Sequence, residues 1–184
     1  MEQYSIKKVY EQMRGDREKV EWRKLIWSNY GAPKWLFILY LALNRRLSTK
    51  DKMAKWGVTS NLTCPLCQVE DEDIDHLFFA CMFTAGIWKK LLAWQGIQRT
   101  GGKWHEEVQW ATTHMKSNTS KAKVYRMVMA GIIYHVWIER NNRIFQFKQR
   151  NEEFMIRHII RDVHGRGTHY GKIGNRLQEL NVYP

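Results

Sequence analysis

All three cysteines of the chain, and one of its seven histidines, fall within eighteen residues, as Cys64, Cys67, His76 and Cys81. The spacing is C-x2-C-x8-H-x4-C, and the stretch carries five acidic residues and no basic one. Such a polar segment has too little apolar surface to order itself by burial. A C-x2-C knuckle lets two thiolates approach one metal from a tight turn while backbone amides point at the sulfurs. The histidine and the third cysteine then complete a tetrahedron from the helix that follows. Three thiolates and one imidazole fill all four positions, so the pattern points to one structural zinc rather than a catalytic one. Asp71, Asp73 and Asp75 stand close enough in sequence to orient the imidazole. The competing explanation, three buried thiols and a satisfied histidine, needs every cysteine of the chain to gather by accident.

Composition narrows what surrounds this cluster. The 184 residues can form one domain with its own core, and 13% aromatics including nine tryptophans exclude a disordered tail. Three cysteines build no disulfide framework, and the odd count suits a reducing compartment. The longest apolar run, Trp35 to Leu43, is nine residues, against the ~20 that a spanning helix needs. The first residues, MEQYSIKKVYEQM, lack the apolar core of a signal peptide. The expectation is a soluble intracellular domain that meets no membrane and takes no small-molecule substrate. A net charge of +12 on a body with one acidic insert favours polyanionic partners, although such an excess also serves solubility alone.

Periodicity and punctuation predict a mostly α-helical domain with a small zinc knuckle inserted between helices. Ser5 caps a first helix bearing Ile6, Val9, Tyr10 and Met13 on one face, and Trp22 to Ser28 gives a second. Lys34 to Arg46, started by Pro33, is apolar nearly all round and is expected to be the central buried helix. Thr49 caps Lys50 to Trp56. Helical character returns from His76 to Trp94 with a restart at Thr84, and again over Lys103 to Lys116. Ala122 to Phe147 is the longest helix, bent near Gly131, and Asn151 caps Glu152 to His164. The tail promises only a weak helix over Asn175 to Leu180. Segments 1–57, 58–95 and 103–184 are expected to form an N-terminal helical part, the knuckle with its following helix, and a C-terminal helical part of one compact unit.

The run KLIWSNYGAPKWLFILYLALNRRLSTKDKMAKWGV, the CPLCQ knuckle, EDIDHLFFAC and the closing IWKKLL together resemble a known family. They are similar to the zinc-binding region downstream of the polymerase in plant LINE-type (non-LTR) retrotransposon reverse transcriptases. The later IIYHVWIERNNRIFQ is similar to the segment that follows the knuckle there, so the resemblance spans roughly residues 4 to 165. It implies that Cys64, Cys67, His76 and Cys81 match the family's metal ligands, and that the region holds RNA or DNA beside a polymerase. No Y-x-D-D aspartate pair, endonuclease or RNase H sequence accompanies it. The chain therefore reads as a fragment of an element or a host gene derived from one, and the family context favours the nucleus over the cytoplasm.

Two functions follow from different premises. In the first, nucleic acid is bound without catalysis by Arg45, Arg46, Lys50, Lys52 and Lys55 before the knuckle. Arg140, Arg143, Lys148, Arg150, Arg157 and Arg161 on the later helices form a second set. Lysine and arginine release counterions from phosphate, which makes binding strongly salt-dependent. Trp56 or Trp35 would stack on unpaired bases if exposed, although at least six of the nine tryptophans are expected in the core. In the second, the module docks a protein partner, and the acidic loop faces a basic one. Catalysis is not expected. The carboxylates of Glu70 to Asp75 lie in the zinc loop, His105-Glu106-Glu107 reads as a helix start, and His135 with Glu139 is a spacing that recurs by chance.

Overall fold

A computed structural model describes residues 20–180 and is helical throughout, with one isolated antiparallel bridge between Thr63 and Asp71. The helices among these residues are α1 (Arg23–Trp27), α2 (Pro33–Leu43), α3 (Lys50–Lys55), α4 (Met82–Trp94), α5 (Trp104–His114), α6 (Ser120–Phe145), α7 (Glu152–Gly167) and α8 (Gly171–Glu179). A single π-helical turn, His76–Ala80, precedes α4. The helix expected over Ser5 to Met13 lies outside the described residues. No helix among the described residues is long and apolar enough to cross a membrane.

The centre of the molecule is α6, not α2. From Ala122 to Val136 every residue of α6 is buried except Lys123 and Tyr134, and α2, α4, α7, α8 and the π turn all pack on it. The helix runs unbroken through Gly131, where Trp35 of α2 and Ile159 of α7 close in. A Cβ placed on that glycine would stand 3.6 Å from Ile159 Cγ2. The more apolar α2 buries only Trp35, Leu39 and Ala42, a narrow stripe at helical spacing, and leaves Phe37 61% exposed. Hydropathy named the wrong central helix because it counts what a residue is, whereas centrality depends on how many elements can approach. The small residues Ala130 and Gly131 permit that approach on α6.

Local signals place the helix starts. The side chains of Thr119 and Asn151 accept from the amides of Ala122 and Phe154, capping α6 and α7. At the start of α5, Glu106 accepts from the Lys103 amide. Its neighbour Glu107 is fully buried, where it accepts from Trp88 Nε1, Arg99 Nη1 and the Gly102 amide. The HEE triplet is thus a helix start that also anchors the α4–α5 loop. At the other end of the chain α8 is longer than the expected turn at Asn175, beginning already at Gly171. It seats Ile173 and Leu177 in the core against α6 and α7.

Candidate metal centre

The four predicted ligands converge. One donor atom from each of Cys64, Cys67, His76 and Cys81 lies within 4.8 Å of the other three. Cys64 Sγ is 4.0 Å from Cys81 Sγ, and Cys67 Sγ is 3.3 Å from His76 Nε2. Zinc with ~2.3 Å bonds to sulfur and ~2.0 Å to nitrogen separates tetrahedral ligands by about 3.8 Å for sulfur pairs and about 3.5 Å for sulfur with nitrogen. The two approaches just given therefore stand near tetrahedral spacing. Their chemistry, three thiolates and an imidazole, fits zinc and leaves no position for a substrate.

Backbone geometry explains how an eighteen-residue segment brings them together. The knuckle turns back through Gln68, whose amide bonds the Cys64 carbonyl at 2.9 Å and whose φ is 59°. The returning strand pairs with the outgoing one, Cys64 N to Glu70 O at 2.7 Å and Glu72 N to Leu62 O at 2.7 Å. The amides of Leu66 and Cys67 point at the Cys64 sulfur, and those of Phe83 and Thr84 at the Cys81 sulfur. Cys81 also occupies the N-cap of α4, where free amides favour an anion. His76 enters from the π turn, its own amide held by Asp73 Oδ1 at 2.7 Å.

The expected restart at Thr84 falls at Cys81 instead. Cys81 adopts φ −57°, ψ 128°, which ends the π turn and opens α4, while the Thr84 hydroxyl donates back to the Cys81 carbonyl. The break is what turns the third sulfur toward the knuckle. Without a metal, the two thiols of Cys64 and Cys81 compete for protons. Cys64 donates toward Cys81 and is buried, which pushes its thiol up, while Cys81 accepts that bond and is pulled down. A divalent cation relieves the conflict by holding both as thiolates.

The second residue facing the imidazole is Glu70, with Oε2 3.4 Å from His76 Nδ1 and outside hydrogen-bonding alignment. Asp71, Asp73 and Asp75 do not take that role. Asp71 sits in the bridge to Thr63, Asp73 holds the His76 amide, and Asp75 pairs with Arg45 at 3.1 Å. Glu72 faces inward altogether, fully buried against Arg140.

The basic residues divide into two kinds. Arg45, Arg46, Lys55, Lys148, Arg150, Arg157 and Arg161 are exposed. Lys50 and Lys52 are half-buried, and Lys50 Nζ donates to the Thr63 carbonyl, tying α3 to the knuckle. Arg140 and Arg143 correct the expectation of phosphate contacts. Arg140 is 2% exposed and bonds Glu72 and the Ser48 carbonyl, its guanidinium lying over the Trp137 ring. Arg143 pairs with buried Glu139 and donates to the carbonyls of Pro65, Leu66 and Arg150. Both are spent on holding the knuckle against α6, and their donors are committed. Of the two tryptophans expected as stacking candidates, Trp35 is buried at 2% exposure and only Trp56, at 62%, is open to a base.

Residues 4–88 match the family model described as zinc-binding in reverse transcriptase. The match ends within α4, beyond the last ligand, and IIYHVWIERNNRIFQ lies outside it. No curated protein and no solved structure matches the chain.

Proposed function

We propose that the chain is a helical module organised by one structural zinc that binds single-stranded nucleic acid without catalysis, at the corner where α6 passes into α7. One observation carries this reading. Phe145, Phe147 and Phe154 are 68%, 89% and 48% exposed around a loop that also bears Lys148 and Arg150. Exposed aromatic rings are costly in water unless they meet something, and here the Arg150 guanidinium lies 5.1 Å over the Phe154 ring. Phe147 is held at φ 54°, a backbone conformation uncommon for a bulky side chain, which projects its ring outward. Rings that stack on bases beside cations that meet phosphates are the two components of sequence-tolerant single-strand binding.

The metal centre supports the corner through Arg143, which bonds the Pro65 and Leu66 carbonyls of the knuckle on one side and the Arg150 carbonyl on the other. Zinc would thus fix the turn against which the corner is braced. This role continues the holding of template or target that the resemblance to plant LINE-type elements implies. A second reading, recruitment of such a fragment to a protein partner, is favoured by the open groove lined by Glu70, Asp71, Asp73 and Asp75 beside His76. Its four carboxylates outnumber the one lysine that also lines it, Lys103, which suits a basic peptide better than phosphate.

Binding of a labelled single-stranded RNA and a DNA duplex, followed by anisotropy across a salt series, separates the two. A steep loss of single-strand affinity with salt supports nucleic-acid binding. No binding to either nucleic acid at low salt overturns it in favour of a protein partner.

A further inference from the structure

Among the described residues, one other set of potential ligands converges, and it shares no residue with the cysteine centre. His135 projects from the middle of α6, while His158 and Asp162 lie one turn apart on α7 and face it. His135 Nε2 is 3.2 Å from Asp162 Oδ2, and His158 Nε2 is 3.8 Å from the same oxygen. The two imidazole rings are 4.8 Å apart and nearly perpendicular, at 82°. One donor atom from each of the three residues lies within 4.8 Å of the others.

Two features separate this set from an ordinary histidine–carboxylate pair. His135 Nε2 is buried yet makes no hydrogen bond, its approach to Asp162 being misaligned for one. Burial also keeps the His135 ring neutral, with a pKa lowered to about 4, so the attraction of a charged pair is missing at neutral pH. A buried, unpartnered ring nitrogen facing a carboxylate and a second imidazole is the arrangement a cation completes.

We propose that His135, His158 and Asp162 form a second site for a divalent transition metal, open to solvent and filled after the cysteine centre. Two imidazoles and one carboxylate suit zinc, cobalt, nickel or copper rather than magnesium or calcium. The partial exposure of His158 and Asp162 leaves room for water at the remaining positions. Several positive groups oppose the ion. Lys34 of α2 and Arg150 act at a distance, and Arg161 Nη2 stands 2.6 Å from His158 Nδ1. Ligation through His158 Nε2 requires Arg161 to withdraw, so that Nδ1 carries the proton that Nε2 gives up. The site is therefore weaker than the thiolate centre.

The test uses the whole chain carrying one equivalent of zinc, titrated with cobalt(II) near pH 7 by calorimetry and absorption. The expected result is one further equivalent, with weak d–d bands and no thiolate-to-cobalt charge transfer. His158→Ala and Asp162→Asn, on the outer side of the site, should each lose that equivalent while retaining the first zinc, which reports that the variant is folded. His135→Ala should do the same, and Arg161→Ala should bind several-fold more tightly. Removing the exposed His105, His114 and His169 together should change nothing. No second equivalent in the unaltered chain, or its loss only when the exposed histidines are removed, overturns the proposal.

Discussion

Arg140 of α6 and Glu72 of the knuckle loop form a buried ion pair across 68 residues of chain, with Nη2 2.8 Å from Oε1 and neither side chain more than 2% exposed. Glu72 Oε1 also accepts the Lys50 amide at the start of α3. One carboxylate thus joins three parts of the molecule: the metal loop, the helix before it and the central helix. The local acidity of the loop and the basicity of α6 look like separate surface features in the sequence, and here they meet inside the protein.

Breaking that pair by removing one partner leaves the other charge buried and alone. Glu72→Ala or Arg140→Ala should cost about 3–5 kcal/mol, and replacing both with well-packed apolar side chains should recover part of the loss. Urea unfolding of the zinc-loaded protein measures this. A single variant within ~0.5 kcal/mol of the unaltered chain, the usual range for a surface substitution, would contradict the placement of the pair.

Cys67→Ser should lose zinc and much of the thermal stability. Metal binding in small structural sites contributes apparent free energies on the order of 10 kcal/mol, which the burial of Leu66 and Ile74 alone does not replace. Native mass spectrometry and a circular-dichroism melt report the two effects separately. An unchanged melting curve would show that the loop orders without its metal.

At the α6–α7 corner, Phe147→Ala should weaken single-strand binding by about 1–3 kcal/mol at every salt concentration, as loss of one stacking platform does. Lys148→Gln should instead lower the steepness of the salt dependence by about one unit. The two variants therefore separate stacking from phosphate neutralisation. Equal effects of both on the salt slope would argue against a ring that meets a base.

Stability should also fall in mild acid, for a reason separate from metal loss. Burial lowers His135 to about 4 in the folded chain, while the ordinary histidine value is about 6.5. Between those values the unfolded chain binds the proton and the folded one does not, so stability rises with pH. The contribution is complete above about pH 6.5 and declines toward pH 4, by on the order of 3 kcal/mol. Asp162 beside the ring resists this decline, and His158 and Lys34 add to it. Unfolding free energies of the unaltered chain and of His135→Gln, each carrying a single equivalent of zinc, should diverge in slope across that window. Parallel curves would contradict it.

The ligands were legible because a metal knuckle is local: four donors within one turn and the next helix start leave their spacing in the chain. Thr119 and Asn151 were legible for the same reason, since a cap bonds an amide three residues on. What the sequence hid depends on distant partners. Nothing near Arg140 announces Glu72, and Glu139 four residues before Arg143 gives no hint of the Pro65 and Leu66 carbonyls, so both arginines read as surface cations. His135 was weighed against Glu139 four residues away, whereas its neighbours His158 and Asp162 come from the next helix. Glu70 was passed over for three aspartates because only the turn at Gln68 decides which carboxylate comes round to the imidazole.

X-ray absorption at the zinc edge, on protein carrying one equivalent, reads the first shell of the metal. Three sulfur neighbours at ~2.3 Å and one nitrogen at ~2.0–2.1 Å are expected, with the sulfur count falling to two in any Cys67→Ser protein that still holds metal. A first shell of nitrogen and oxygen alone would place the zinc elsewhere and contradict the knuckle as the centre that organises this fold.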